Sequence, residues 1–375
     1  MINIRSVFLI ILLIVLSSNF NFINACGFGD YELNHGVIRL FDPNVLLSNS
    51  YSNDTQKKVV NKKCQDKNCS NLESWSSFFD SKYSLGFLKT IMSSVPDGIQ
   101  KRFKASGNKN LVVPEKETSF VEYWKIALNV DAYLYKSGNT EDGWSYCGKR
   151  GAKFILKDTL ITDSLSKLIK SKIEEENFLF IKERYAYQLI KLLRYTNNYQ
   201  EVLEVYRTYL LSSSTNSLIS YWAMEHYAGA LRKLGFCAEA NYYFLKVFIN
   251  CPSRRNSAFA SYSIKSKNEF NEVERLCKSD EEKLYLYYMR GRIKKNLGLY
   301  EMKCMDSISP NHYLTKVLMS MEINKFDASL TFASLKNSKK HYVEEMIDFN
   351  KQLRDTYKKD NYWEISLAYL YYYIG

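Results

Sequence analysis

Residues 177–252 read NFLFIKERYAYQLIKLLRYTNNYQEVLEVYRTYLLSSSTNSLISYWAMEHYAGALRKLGFCAEANYYFLKVFINCP, and the fold class follows from this stretch. Phe180, Ala186, Leu189, Ile190 and Leu193 recur at the spacing that lines one face of a helix. Thr196-Asn197-Asn198 interrupts the pattern, which resumes with Val202, Leu203, Val205, Tyr206 and Tyr209. After the polar linker Ser212 to Asn216 it returns as ISYWAMEHYAGALRKL, turns at Gly235, and continues as AEANYYFLKVFINCP. Two helical hairpins in succession are therefore predicted. A single antiparallel pair cannot bury its apolar face alone, so the pairs must stack on further pairs.

The second hairpin resembles a tetratricopeptide repeat. Gly235, Ala240, Phe244, Val247 and Pro252 fall at that motif's turn glycine, small packing residue, aromatic, usual alanine and terminating proline. Ala186 is the small packing residue assigned to the first hairpin, where Val202 stands in place of the alanine of the motif. The resemblance implies an all-α chain: a tetratricopeptide-like α-solenoid of antiparallel helix pairs with a less regular N-terminal cap. It also implies a protein partner, because helical-repeat scaffolds of this type present a surface to other chains.

The N-terminus is set apart from the fold. Arg5 precedes an unbroken apolar run from Val7 to Leu16, and Ile23-Asn24-Ala25 precedes Cys26, so residues 1–25 read as a signal peptide. The run is about half of the ~20 residues needed to span a bilayer. Ile23-Asn24-Ala25-Cys26 also resembles a bacterial lipobox, which makes Cys26 a lipidation candidate beside ordinary cleavage at the same bond. The expected location is the periplasm, outer membrane or cell surface, with membrane attachment only through an N-terminal lipid.

Composition narrows the function. A hydrophobic content of 46% with 25% charged residues excludes a disordered chain, and five prolines with fifteen glycines leave few tight turns and favour long helices. The net charge of +12 invites a nucleic-acid reading. Lysine and arginine are nevertheless interspersed with glutamate, as in Lys170 to Glu176, the pattern of a solvated face, so no nucleic-acid partner is expected. The eight cysteines form no paired CxxC units and the four histidines lie apart from them in sequence, so no metal site is expected. Cys64 and Cys69 are the nearest candidate disulfide pair, while Cys237 and Cys251 read as small buried hydrophobes.

Residues 26–115 are read as an irregular cap, with a helical segment over Leu72 to Met92, and residues 116–375 as the repeat region. Helices are expected from Glu117 to about Tyr135 and from a cap at Thr162 or Asp163 to Asn177. Further helices run over Ser253–Ile264, Asn268–Cys277 and from Ser279 to a stop at Gly298. Three more begin at Leu299, at Pro310 and at Ser338, the last of them ending near Lys358. Tyr362 to Ile374 carries apolar residues on both sides and reads as half of a further hairpin, as though the chain were cut within a repeat.

No catalytic constellation emerges. Gly143 to Lys149 fits G-x-x-x-x-G-K, but Arg150 stands where a P-loop requires Ser or Thr, and no strand precedes it. His226 follows Glu225 without an HExxH pattern, and the clusters at Glu174–Glu176 and Glu344–Glu345 read as solvated faces. The stripe Tyr285, Tyr287, Tyr288 and Met289 is either core or a ligand-facing row. The expectation is a non-enzymatic interaction scaffold of the cell envelope with no cofactor. The alternatives are a glycan-binding surface lipoprotein, since the starch-utilisation family joins a lipobox to such a scaffold, and an envelope hydrolase with its site in residues 26–160. If Cys26 is acylated, Cys26→Ser should release the protein from the membrane fraction and abolish lipid labelling. Unchanged membrane association would instead point to a protein tether or an uncleaved leader.

Overall fold

Both predicted hairpin turns form, and by the same device. In the computed structural model, which describes residues 69–94, 98–99, 101–103, 114–136, 158–211, 217–293, 298–327 and 337–372, Asn197 and Gly235 have φ of 66° and 92°. A left-handed residue after a helix lets the next amide reach back to the last turn: Asn198 N donates to Leu193 O at 2.9 Å and Phe236 N to Leu231 O at 3.0 Å. Glycine adopts that φ without a Cβ penalty and asparagine is the usual substitute, so the chemistry of each turn is local.

The described residues are all-α, 85% helical, far above the ordinary third of a globular protein, and contain no strand. In chain order they form α1 (Cys69–Phe78), α2 (Leu85–Met92), α3 (Glu115–Lys136), α4 (Thr159–Glu175) and α5 (Leu179–Tyr195). There follow α6 (Tyr199–Tyr206), extended by a π-helical turn at Arg207–Leu211, then α7 (Leu218–Lys233), α8 (Cys237–Asn250), α9 (Arg255–Ser261) and α10 (Lys267–Leu276). The last are α11 (Asp280–Ile293), α12 (Gly298–Ile308), α13 (Tyr313–Asp327), α14 (Asn337–Thr356) and α15 (Asn361–Tyr372). Sequential neighbours pack in pairs, and helices two apart also meet: α3 on α5, α5 on α7, α11 on α13 and α13 on α15.

Ala186, Ala240 and Val247 are fully buried, Phe244 nearly so, and Pro252 opens a short 3-10 turn after α8. Rings fasten α6, α7 and α8 to one another: Tyr206 stacks on Tyr227 at 4.3 Å, and Tyr227 meets Tyr243 edge-on at 4.9 Å. At the other end Trp75 is enclosed by Phe120 and Phe180 at 4.8 and 4.9 Å, so α1 shares its core with α3 and α5. Cys251 is buried as expected, whereas Cys237 is only half-buried.

Several boundaries differ from the expectations. Asp158, not Thr162 or Asp163, caps α4 by accepting from Leu160 N at 2.9 Å, while Thr162 is buried and bonds Asp158 O. The segment from Leu72 to Met92 is two helices, broken where Asp80 and Ser81 take positive φ. The helix expected to reach Ile264 stops at Ser261, because buried Asn241 bonds the backbone of Ser263 twice, donating at 2.9 Å and accepting at 2.9 Å. Gly298 does not stop α11; it begins α12, where a Cβ would lie 2.4 Å from the Glu322 carboxyl carbon. Pro310 stands in a turn before α13, which begins at Tyr313. On α15, Trp363, Leu367 and Leu370 are buried against α13 and α14, while Ile365 and Tyr371 remain exposed. The Cys26 and Cys64 positions, the cysteine side chain of Cys69 and the Gly143 to Lys149 motif lie outside the described residues.

Ala240 gives the sharpest test of this packing. Ala240→Trp should overpack the contact of α8 with α7 and lower stability by about 1–3 kcal/mol or more. Thermal unfolding measures it; a wild-type midpoint would mean that Ala240 does not sit in a helix–helix contact.

Candidate functional site

The face shared by α5, α7 and the turn after α8 gathers most of the unusual chemistry. Tyr187, Lys191 and Tyr195 succeed one another at i, i+4 and i+8 on α5, and Trp222 and His226 stand at i and i+4 on α7, so each set forms one row along its helix. Because α5 packs on α7, the rows meet. Tyr187 lies 5.9 Å from Trp222 and 5.8 Å from His226, and Tyr195 closes on His226 at 5.7 Å, ring centre to ring centre. The turn that begins at Pro252 then swings Arg254 over the Trp222 ring at 4.8 Å.

Charge at this face is unbalanced. Lys191 pairs with Asp131 of α3 at 2.5 Å, and Arg254 with buried Glu225 at 3.3 Å; Glu225 also accepts a hydrogen bond from Ser257. Arg194 has no carboxylate within ion-pair distance among the described residues. Its guanidinium is half-buried, lies 5.1 Å from the Tyr199 ring, and rests against the bare Cα of Gly229, where a Cβ would come within 3.0 Å of Nε. Glycine inside a helix costs roughly 1 kcal/mol relative to alanine, so at Gly229 helix stability is exchanged for room beside an arginine.

His226 records the resulting field. The ring is half-buried, and neither nitrogen is hydrogen-bonded to the described residues. Burial, and then the positive charges of Arg254, Arg194 and Lys191, push its pKa down from 6.5 to about 3. The imidazole is therefore neutral at pH 7 and offers one donor and one acceptor to whatever lies on this face. Glu225 is shifted the other way: burial raises its pKa, and Arg254 and Ser257 partly offset that.

The residues singled out from sequence lie elsewhere or play other parts. Ala186, Ala240, Phe244 and Val247 are buried in the core, while Gly235 and Pro252 are exposed in the turns before and after α8. Tyr285, Tyr288 and Met289 are buried and belong to the core, while Tyr287 is half-buried and bonds Glu274 at 2.6 Å. Glu174, Glu175, Glu344 and Glu345 are exposed. Among the described residues no group of acidic, histidine or cysteine side chains is arranged to hold a metal. Sequence reasoning missed Lys191, Arg194, Trp222 and Arg254. The one-sided i, i+4 rows on α5 and α7 were the available signal, but the same spacing serves an ordinary solvated face.

Comparison with known proteins gives no match at the level of a family model, a curated protein or a solved structure.

The histidine predicts a pH effect. The unfolded imidazole takes up its proton near pH 6.5, the folded one only near pH 3, so the unfolded state binds more protons between those values and stability falls as the pH drops from about 6.5. Glu225, whose pKa burial raises, contributes with the opposite sign, and a His226 variant keeps it, so the difference between the two profiles belongs to the histidine. His226→Gln should flatten the unfolding midpoint against pH there. A profile identical to that of the wild type would show that His226 takes up its proton at the same pH in the folded and the unfolded chain.

Proposed function

We propose that the chain is a non-enzymatic interaction module: a tetratricopeptide-like helical-repeat scaffold at the cell envelope that presents the α5–α7 face to a protein partner. The observation that carries this reading is the packing of helices two apart, α3 on α5, α5 on α7, α11 on α13 and α13 on α15, since stacking of successive pairs is how a repeat array extends one row of helices as a surface. On that surface α5 and α7 carry half-buried Lys191, Arg194, Trp222 and His226 and exposed Tyr195 where a fully buried helix pair would carry aliphatic side chains. Aromatic and arginine side chains are the groups enriched at protein interfaces.

The glycan reading is weaker on the same geometry. A sugar ring stacks on an open aromatic face, whereas Trp222 is half-buried beneath Arg254 and spends its indole N–H on Ser253 at 3.2 Å. The envelope location rests on the N-terminal segment alone; no helix among the described residues is long and apolar enough to cross a membrane.

Tyr195, 40% exposed at the edge of the face, is the place to test this, with Leu160, 77% exposed on α4, as the reference. A photo-crosslinking amino acid at Tyr195 in the full chain should capture a discrete protein species in cells. Leu160 should capture none, and Trp222→Ala should abolish the Tyr195 product. Absent products, or equal products at both positions, would sink the assignment of this face.

A further inference from the structure

The uncompensated charge at the face constrains the partner. Of its three cations, Lys191 and Arg254 already have carboxylates, Asp131 and Glu225, whereas Arg194 has none among the described residues. A polyanion such as a nucleic acid or an anionic membrane requires a row of unpaired cations, and it would meet the two resident carboxylates with repulsion. One spare guanidinium between half-buried Tyr199 and exposed Tyr195 suits a single carboxylate flanked by apolar side chains.

Resting on the reading of this face as a protein-binding surface, we infer that α5 and α7 bind an acidic polypeptide segment, one carboxylate of which pairs with Arg194 while a neighbouring apolar side chain lies against the exposed ring of Tyr195. Three features of the site fit this occupant. Gly229 leaves the Arg194 guanidinium room against α7, and Tyr199 holds its other side, so the fork is preorganised for a planar carboxylate. Unprotonated His226 can donate a hydrogen bond to the same carboxylate without adding charge. Lys191 and Arg254, though paired, keep the local field positive and steer an anion inward.

The test uses the full chain and two labelled pools of synthetic decapeptides. One has Asp or Glu at two fixed positions with randomised aliphatic or aromatic residues between them; the other is identical with Asn or Gln. Fluorescence anisotropy should show preferential binding of the acidic pool, weakened by salt and reduced about tenfold or more by Arg194→Gln. Asp131→Asn, which frees Lys191, should tighten it. A bound carboxylate should also raise the pKa of His226, read from its ring resonances, against the opposing charges of Lys191, Arg194 and Arg254 and beside Glu225, Tyr187 and Tyr195. Equal binding of the two pools, or binding indifferent to Arg194→Gln, overturns the inference. Arg194-dependent binding of a single-stranded oligonucleotide or of phosphatidylglycerol vesicles in preference to the acidic pool also overturns it. If the Tyr195 cross-link persists and depends on Trp222 but not on Arg194, the acidic partner fails while the protein-binding face stands.

Discussion

The close approach of α7 to its neighbours sustains the described structure. α7 packs against α5, α6 and α8, and it does so with Ala223, Ala228 and Ala230 fully buried. Alanine lets helix backbones come near, and the space is taken by larger groups from the facing helices, among them Phe244, Leu245 and Tyr206. Each large buried side chain contributes roughly 1.5–3 kcal/mol, so a bulky residue in this row would lose packing energy in several directions at once. The candidate site depends on the same approach, because Tyr187 and His226 meet only while α5 and α7 lie together.

Buried polar joints then fix which of the nearby arrangements is adopted. Asn241, fully buried on α8, accepts from Arg232 at 2.6 Å and donates to Glu269 at 2.7 Å, while its two bonds to Ser263 pin the linker between α9 and α10. Glu269 also closes the N-terminus of α10, where Ser266 Oγ accepts its amide and its own carboxylate accepts Lys265 N. Glu301, fully buried on α12, pairs with Arg290 at 2.6 Å, and that guanidinium covers the Phe270 ring at 3.5 Å. Arg184 is the most demanding case: nearly fully buried between Trp75 and Phe180, it donates to the neutral oxygens of Asn71 and Ser74, and burial lowers its pKa to about 10. Such groups add little net stability, but removal of one member strands the others.

The same physics is arranged differently at the face of α5 and α7. In the joints each buried charge has a hydrogen-bonding partner; at the face, burial first and then the repulsion of Arg254, Arg194 and Lys191 keep the proton off His226. That repulsion is tolerated because aromatic rings accept the guanidinium planes of Arg194 and Arg254 and Gly229 gives one of them space.

The sequence by itself determined the helices whose signals are local: the apolar period of α5 to α8, the left-handed turns at Asn197 and Gly235, and the acidic first turn of α11, where Ser279 Oγ accepts the Glu282 amide and the Glu282 carboxylate accepts Lys278 N. Propensity, periodicity and capping act over a few residues and survive without knowledge of the neighbours. Only the tertiary structure decided the rest. Gly298 carries a helix-stop signal in the sequence but opens α12 because the Glu322 carboxylate occupies the place of its side chain. Asn241 ends α9 from another helix. Lys191, Arg194, Trp222 and Arg254 look like scattered polar-face residues until the stacking of α5 on α7 and the turn at Pro252 bring them to one surface, since electrostatic sites depend on distances in space and those are set by packing.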